Sequence, residues 1–515
     1  MLMFSLHKNK GLQDLVFLCF FVTLLLFIIS PDSYTHDLYN RVDSAWFFMC
    51  GKAWMNGMIP YVDFSDSKGP LLWLIYGIGY LLSRYNYIGI FWISCLWYSL
   101  VYFYTYKVAY VFLKKRRPSL ICSIFMTLSY FYPWYHYETR AEDFCLLFII
   151  LSLYEVVLFL YDGRKSQKDI KKELFLLGFC FGALLMIKFN IAAMQLSFII
   201  YMLFVLIKEK RFSLICLYYF LLGFSFITLP FIIYFLAEGN FHAFIQEYFI
   251  NTTHTIIDHE ESLRTYLFEW SFVITRIPLN IVLLILFIGC WQMKYLNNDN
   301  RYFPLICFFL FLSITIRHSP NPYYFQTISV FAIFLIVLIV SKMAIMKMHL
   351  YIICSIIIVY CVIGNTVSYQ DGIRSNYFFR DGKERKDFYN IAYIMSQVNT
   401  PKILNVFSYE YGYGITSNSL PAGKYWALQN GYSHEMWQEQ VSIIYKKKAD
   451  FLVFNSDKAL KTIGIKTLNK LGYLECYKFG DNKEKSLFSN KKVKLPPPSL
   501  HISNHEVFLK KRPSF

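Results

Sequence analysis

Residues 43–70 read DSAWFFMCGKAWMNGMIPYVDFSDSKGP, and the surroundings this stretch requires organise the rest of the chain. It follows the first long apolar run and gathers Asp43, Asp63, Asp66 and Lys68 close to a membrane surface. Trp46, Met49, Cys50, Ala53 and Trp54 recur at the i, i+3, i+4, i+7, i+8 spacing of one helical face. The spacing predicts a helix lying in the lipid interface, with its tryptophans toward the bilayer and Lys52 and Asn56 toward water. Gly57 is expected to end the helix and Pro60 to redirect the chain. A carboxylate would then stand at each end of a platform at headgroup level. Such a platform suits a substrate whose tail is in the bilayer and whose head is in water.

Composition places the stretch in a membrane protein. Of 515 residues, 56% are hydrophobic and 20% aromatic, more apolar surface than a soluble domain of this length would carry. Several uninterrupted apolar runs reach the length of about 20 residues needed to cross a bilayer. The formal net charge of +17 would point to nucleic acid in a soluble protein. Here many of the cations fall in short loops between apolar runs, so they read as topology signals and nucleic acid is excluded as a partner. Nearly all of the 12 cysteines lie within expected spans, and no spacing marks a metal knuckle or a disulfide framework. Cys50 and Cys476 are the main exceptions and are expected to be unpaired. The run from Leu12 to Ser30 is too long for a signal-peptide core and lacks a small-residue cleavage pattern, so it reads as an uncleaved first span.

Spans are expected at 12–30, 86–113, 119–133, 144–161, 174–187, 190–207, 213–236, 271–291, 303–316, 323–341 and 349–366. This makes about eleven crossings of a bilayer that needs about 20 residues each. The 71–83 run is short and is placed as an interfacial or re-entrant piece. The clusters at Lys114–Arg117, Arg164–Lys172 and Lys208–Arg211 then share a side with Lys8 and Lys10. By the positive-inside rule the N-terminus is cytoplasmic and the C-terminus external, in the cytoplasmic (inner) membrane. After the last span the composition turns polar. KILNVFS (402–408), DFLVFN (450–455) and 473–479 read as strands, and 435–448 and 457–470 as helices. The expected organisation is a polytopic α-helical membrane domain over 1–367, a small external (periplasmic) α/β domain over 368–480, and a basic, disordered tail over 481–515.

The ionisable residues gather in the loops expected outside. Besides the first loop, these are Glu138, Arg140, Glu142 and Asp143; Lys188; His254, His259 and Glu260; and Arg317 and His318. A transporter would carry charges near the middle of its spans. These spans read as almost free of them, which favours an enzyme at the outer interface.

The residues D-S-x-x-F (43–47) and G-K-x-W-x-x-G-x-x-P-Y-x-D-x-x-D-x-K-G-P (51–70) resemble the first external loop of GT-C glycosyltransferases. Within that superfamily the chain is most similar to bacterial relatives of protein O-mannosyltransferases and to the lipid A aminoarabinose transferase. The resemblance extends to R-x-E at Arg140 and Glu142, to G-x-x-x-G-x-L-x-x-x-K from Gly178 to Lys188, and to P-Y-Y-x-Q from Pro322 to Gln326. It covers most of residues 12–340. It implies a GT-C-like fold with interfacial helices in the first external loop. It also implies transfer of a sugar from a polyprenyl-phosphate donor, with no nucleotide sugar. The acceptor would be a lipid, glycan or protein, and membrane lipids the remaining partners. One departure is visible: many members carry an acidic pair at the first catalytic position, whereas Asp43 is followed here by Ser44.

The chemistry matches these residue types. A lipid phosphate needs cations to stabilise its charge on departure, and the acceptor hydroxyl needs a base, which a carboxylate supplies. With the resemblance, Asp43 becomes the candidate base, with Asp66 and Glu142 as further catalytic carboxylates. Lys68, Lys188 and Arg317 are candidates for the phosphate, and Arg140, Tyr324 and Gln326 complete the expected substrate-binding set. His254, His259 and Glu260 could hold a divalent ion, the only cofactor the sequence leaves room for. Structural readings stand beside these: Asp43 as a helix N-cap, Asp66 as partner of Lys68, Arg140 with Glu142 as an ion pair, Lys188 as a snorkelling lysine. A flippase or transporter of a lipid-linked glycan, or an inactive GT-C-like scaffold, are the alternative functions.

Overall fold

The computed structural model describes residues 2–30, 32–33, 42–131, 139–161, 166–253, 300, 303–316, 322–342, 352, 356, 383–409, 412–428, 434–479 and 485–495. In chain order the elements begin with α1 (Leu2–Ile29), α2 (Asp43–Met55), α3 (Pro70–Leu82) and α4 (Ile88–Leu113). There follow α5 (Arg116–Phe125), α6 (Thr127–Tyr130), α7 (Ala141–Tyr161), α8 (Gln167–Ile187), α9 (Phe189–Lys208), α10 (Leu214–Ala237) and α11 (Phe241–Phe244). Next come α12 (Phe303–Ile316), a 3-10 helix at Pro322–Phe331, and α13 (Ala332–Lys342). The remainder is α14 (Lys383–Met395), β1 (Lys402–Val406), β2 (Leu420–Pro421), α15 (His434–Tyr445), β3 (Phe451–Phe454), α16 (Asp457–Ile463), α17 (Ile465–Leu471), β4 (Leu474–Phe479) and β5 (Lys485–Ser489). The chain divides into two compact units. One comprises Met1–His36, Ser67–Leu74 and Ile90–Asn376, the other Asp37–Asp66, Ile75–Gly89 and Tyr377–Phe515.

The first unit is helical. Among the described residues, five helices are long and apolar enough to cross a bilayer: Gly11–Ile29, Ile88–Leu113, Ala141–Tyr161, Phe189–Lys208 and Leu214–Ala237. This is a multi-pass membrane protein. The expected spans at 271–291 and, but for Ile352 and Ile356, 349–366 lie outside the described residues. The expected third span is not one helix: α5 ends at Phe125 and α6 restarts at Thr127. The ninth, 303–316, is α12. The tenth begins as a 3-10 helix and becomes α-helical only at Ala332. Arg116 Nε lies 2.6 Å from Asp14 Oδ1, tying α5 to α1.

Glycines bring α8 and α10 into close contact. A Cβ on Gly178 of α8 would stand 2.0 Å from Phe220 O, and one on Gly223 of α10 would stand 1.9 Å from Phe175 O. The two backbones therefore touch where small residues allow it, as in membrane helix pairs built on G-x-x-x-G. The Gly178–Gly182 pair is thus explained by contact with α10. α10 also exposes Leu217, Leu221, Leu229 and Ile233. By contrast α7 is buried on nearly every side. Spans almost free of charge were expected, but α7 holds the buried Glu155, a single carboxylate among apolar neighbours that leaves the hydrophobic pattern of its helix intact. The buried Glu173 of α8 follows Lys171 and Lys172, just before the expected fifth span.

The second unit is built on a five-stranded sheet of order β2-β1-β3-β5-β4. β1 runs parallel to β2 and β3, while β5 runs antiparallel to β3 and β4. β1 and β3 are buried nearly throughout, the pattern of strands covered on both faces. α14 is tied to β4 by Asn390, whose amide donates to Tyr477 Oη at 2.7 Å. α15 is tied to β1 by Gln440, which accepts from Phe407 N at 2.9 Å. Residues 457–470 form two helices rather than one, because Gly464 takes φ +86° where an L-residue would be strained. Residues 485–489, expected within a disordered tail, form β5. Leu487 and Phe488 are fully buried there, and the surrounding lysines had masked so short an apolar pair.

In this unit α2 departs most from expectation. Every residue from Ser44 to Ala53 is buried. On one side Trp46 stacks on Trp426 at 4.8 Å, and Gly414 leaves room for Met49, whose Cε lies 2.5 Å from where a Cβ would be. On the other side Phe47 meets Tyr76 edge-on, and Phe48 meets Tyr80 and Tyr87. Lys52, expected in water, is fully buried and donates to Gly414 O at 2.9 Å and Ser417 O at 2.6 Å. The helix has no wet long face because its partners include residues more than 360 positions away, which local periodicity cannot register. Gly57, at φ +83°, ends it as expected. Gly57 N donates to Trp54 O at 3.0 Å and Met58 N to Ala53 O at 3.1 Å, the paired bonds of a Schellman motif.

Candidate functional site

In the first unit, polar side chains converge at the N-terminus of α7. Thr139 and Arg140 precede the helix and are buried, as are Glu142 and Asp143 in its first turn. Asp143 Oδ2 accepts from Arg140 N at 2.7 Å, so the third helical residue reaches back to the residue before the helix, half of a capping box. The other oxygen, Oδ1, accepts from Tyr98 Oη of α4 and, at 2.8 Å, from Gln326 Nε2 of the 3-10 helix. Gln326 also donates to Tyr98 Oη at 3.1 Å. One carboxylate thus joins α4, α7 and the 3-10 helix. Asp143 was not singled out by its sequence position. The acid three residues after Arg140 is the local signal for its capping bond, but nothing local marks its bonds to Tyr98 and Gln326.

Glu142 forms a buried ion pair with Lys188, its Oε1 accepting from Lys188 Nζ. Lys188 is the single extended residue, φ −157° and ψ 100°, between α8 and α9. It is therefore fixed by two helix ends as well as by its partner. A pair so enclosed is strongly held, because removing one partner strands the other charge away from water.

The Lys68 segment docks beside this break. Gly69 N donates to Ile187 O at 2.9 Å, and a Cβ on Gly69 would stand 2.1 Å from Met186 O. Only glycine lets the two backbones come so close. Tyr248 Oη donates to Leu185 O at 2.6 Å, covering another carbonyl of the same turn. Lys68 Nζ donates to Ser67 Oγ at 2.9 Å. The backbones of two expected phosphate ligands, Lys68 and Lys188, are thus held one residue on either side of a shared hydrogen bond.

The remaining expected residues fall into three groups. Asp43 and Asp66 belong to the second unit. Asp43 is the first residue of α2, and the capping position is Val42, so Asp43 sits in the positive end of the helix without being its N-cap. Asp66 is buried near Cys50; burial first, and then this carboxylate, holds the Cys50 thiol well above its ordinary value. Tyr324 lies in the 3-10 helix, described in its backbone. Arg317, His254, His259 and Glu260 lie outside the described residues. Among the described residues no group of three His, Cys, Asp or Glu side chains could hold a metal ion.

The sequence profile described as dolichyl-phosphate-mannose-protein mannosyltransferase matches residues 67–234. That range includes Lys68, Arg140, Glu142 and Lys188. Among solved structures, the chain is similar to ArnT from Cupriavidus metallidurans in the apo state, with a TM-score of 0.65 at 11% identity over 92% of this chain and 98% of that one. It is also similar to the same protein bound to undecaprenyl phosphate, with a TM-score of 0.61 at 10% identity over the same shares. No curated protein matches by sequence. The resemblance read from the sequence, to GT-C glycosyltransferases of the aminoarabinose-transferase and protein O-mannosyltransferase type, is borne out by profile and fold.

Proposed function

We propose that this protein is a glycosyltransferase that takes a sugar from a polyprenyl-phosphate donor at the outer face of the cytoplasmic membrane and passes it to a lipid, glycan or protein acceptor. The observation that carries the reading is the buried Glu142–Lys188 pair with the Lys68–Gly69 segment bonded beside it. It lies inside the segment that matches a lipid-phosphate sugar transferase profile, in a chain whose fold resembles a protein solved with undecaprenyl phosphate. Lys68 and Lys188 are assigned to the donor phosphate, with Arg140 and Arg317. Glu142 holds Lys188 in place, and Tyr324 and Gln326 belong to the substrate-binding set. Asp43 is assigned as the base that takes the acceptor's proton, with Asp66 supporting it. Any divalent ion would bind His254, His259 and Glu260. The external domain is assigned to residues 368–480 together with β5 at 485–489, which belongs to the same sheet.

Polyprenyl phosphate should stabilise the purified protein against heat, by about 2.7 kcal/mol at a ligand concentration 100 times its dissociation constant. Lys68→Ala and Lys188→Ala should each reduce that ligand-induced shift. If both variants respond to the lipid as the parent does, the phosphate site is misplaced. The buried Glu155, within a helix long and apolar enough to cross a bilayer, favours a second reading, a carrier of lipid-linked glycans, since membrane-embedded carboxylates mark transport paths. Transport without transfer, abolished by Glu155→Gln, would establish that reading in place of the first.

A further inference from the structure

The second unit holds a polar cavity of about 330 Å³ that the transfer reaction does not use. It is lined by Lys402, Lys424, Lys448, Asp63 and Glu439, with Met58 and Gly423 among its apolar and backbone walls. Its volume is at the lower end of small-ligand sites, about 300–1,000 Å³. Its charges come from separate parts of the chain: the turn after α2, the start of β1, the β2 loop, α15 and the turn that follows it.

Lys424 lies over the ring of Tyr425, its Nζ 5.1 Å from the centroid, whereas Lys402 is poorly compensated. Lys402 is half-buried, and burial lowers its affinity for its proton against the opposing pull of Asp63 and Asp450. The contact of its ammonium is Met58 Sδ at 3.9 Å, a weak acceptor. Asp450, just before β3, is occupied by Lys402 N at 2.8 Å and Lys491 Nζ at 3.1 Å. Among the described residues neither Lys402, Lys448 nor Glu439 forms an ion pair. Asp63 lines the cavity and accepts from Ile59 N at 2.7 Å through Oδ2, which fixes the turn. A half-buried ammonium lining a cavity favours an anion there, because desolvation strengthens the attraction. Two carboxylates in the same lining suit hydroxyl donors rather than a second anion.

We infer that this cavity binds an acidic saccharide, a sugar bearing phosphate or carboxylate, with the lysines on the anion and Asp63 and Glu439 on the hydroxyls. The site stands whether or not the chain transfers sugar.

The test uses full-length protein in detergent and four probes: glucose 6-phosphate, glucuronate, glucose and inorganic phosphate. Binding is measured by ligand-observed NMR with titration. Glucose 6-phosphate or glucuronate should bind at least about 10-fold more tightly than glucose or inorganic phosphate, the factor one charge-assisted hydrogen bond supplies. Lys402→Gln should remove that advantage. Glu439→Gln should tighten the acidic sugars, a change in the opposite direction that a misfolded protein would not produce. Equal binding of glucose and the acidic sugars would overturn the proposal. So would inorganic phosphate binding as tightly as the sugar phosphate, unaltered binding by both variants, or no binding of either acidic sugar.

Discussion

Lys188 answers to two requirements at once. It completes a buried ion pair and it is assigned to a ligand, and the two are separable by substitution. Lys188→Met strands Glu142, which is 2% exposed, and should destabilise the protein by about 3–5 kcal/mol. Adding Glu142→Gln removes the stranded charge, so the double variant should recover much of the loss in thermal unfolding. Transfer should not recover, because the ammonium is still missing. Recovery of both would make the pair structural only. Asp43 poses a cleaner question. It occupies the first position of α2, with Val42 as the cap, so Asp43→Asn leaves capping unaltered and keeps the side-chain shape. Single-turnover sugar transfer should fall by about 10²–10⁴-fold, the usual worth of general-base assistance, with thermal stability near that of the parent. Turnover close to the parent would remove Asp43 as the base and direct attention to Asp66.

At the scale of elements, the α8–α10 contact yields a graded expectation. A Cβ at Gly178 or Gly223 would meet backbone oxygen at 2.0 or 1.9 Å, whereas at Gly182 the first obstacle is the Ile227 side chain at 2.3 Å. Side chains rotate away more readily than backbones move. Gly178→Ala and Gly223→Ala should therefore each cost about 1–3 kcal/mol, the usual range for overpacking, and Gly182→Ala less, measured by thermal unfolding in matched detergent. Equal losses at all three would mean that the helices separate as rigid bodies. The elements also show what a sequence can reveal. α10 and α12 are apolar throughout, so their limits were read to within a residue or two. The interruption at Met126 carries no proline or glycine, so no local signal marked it; Pro322 marks where the 3-10 segment starts, but nothing local marks how far it runs. The burial of α2 was invisible for another reason: its stripe of tryptophans looks the same whether it faces lipid or protein.

For the whole molecule, charge and fold bear on different questions. The profile and structural matches establish the GT-C fold, and the motif at 43–70 had already pointed there because its acids, glycines and prolines recur at fixed spacing. The polar network of Asp143, Tyr98 and Gln326 was not legible, since its members lie up to 228 positions apart and each is unremarkable in its own segment. Orientation is assigned from the lysine and arginine clusters alone. Reporter fusions at Lys115, Lys168 and Lys208 should therefore read cytoplasmic, and a fusion at Asn455 external. A cytoplasmic signal at Asn455 would place the sheet unit on the wrong side for the proposed reaction.

The burial of Lys52 bears on how the protein is made. Its ammonium is satisfied by carbonyls of residues 414 and 417, and Trp46 stacks on residue 426. These partners leave the ribosome 362 residues or more after Lys52. At about 5–20 residues per second, the helix bearing Asp43 waits roughly 20–70 s for the segment that completes its surroundings. Through that interval the Lys52 ammonium and the Trp46 indole lack their final neighbours. Maturation of the first loop is thus timed by the last part of the chain, and a prematurely terminated product would insert in the membrane with that loop unfinished.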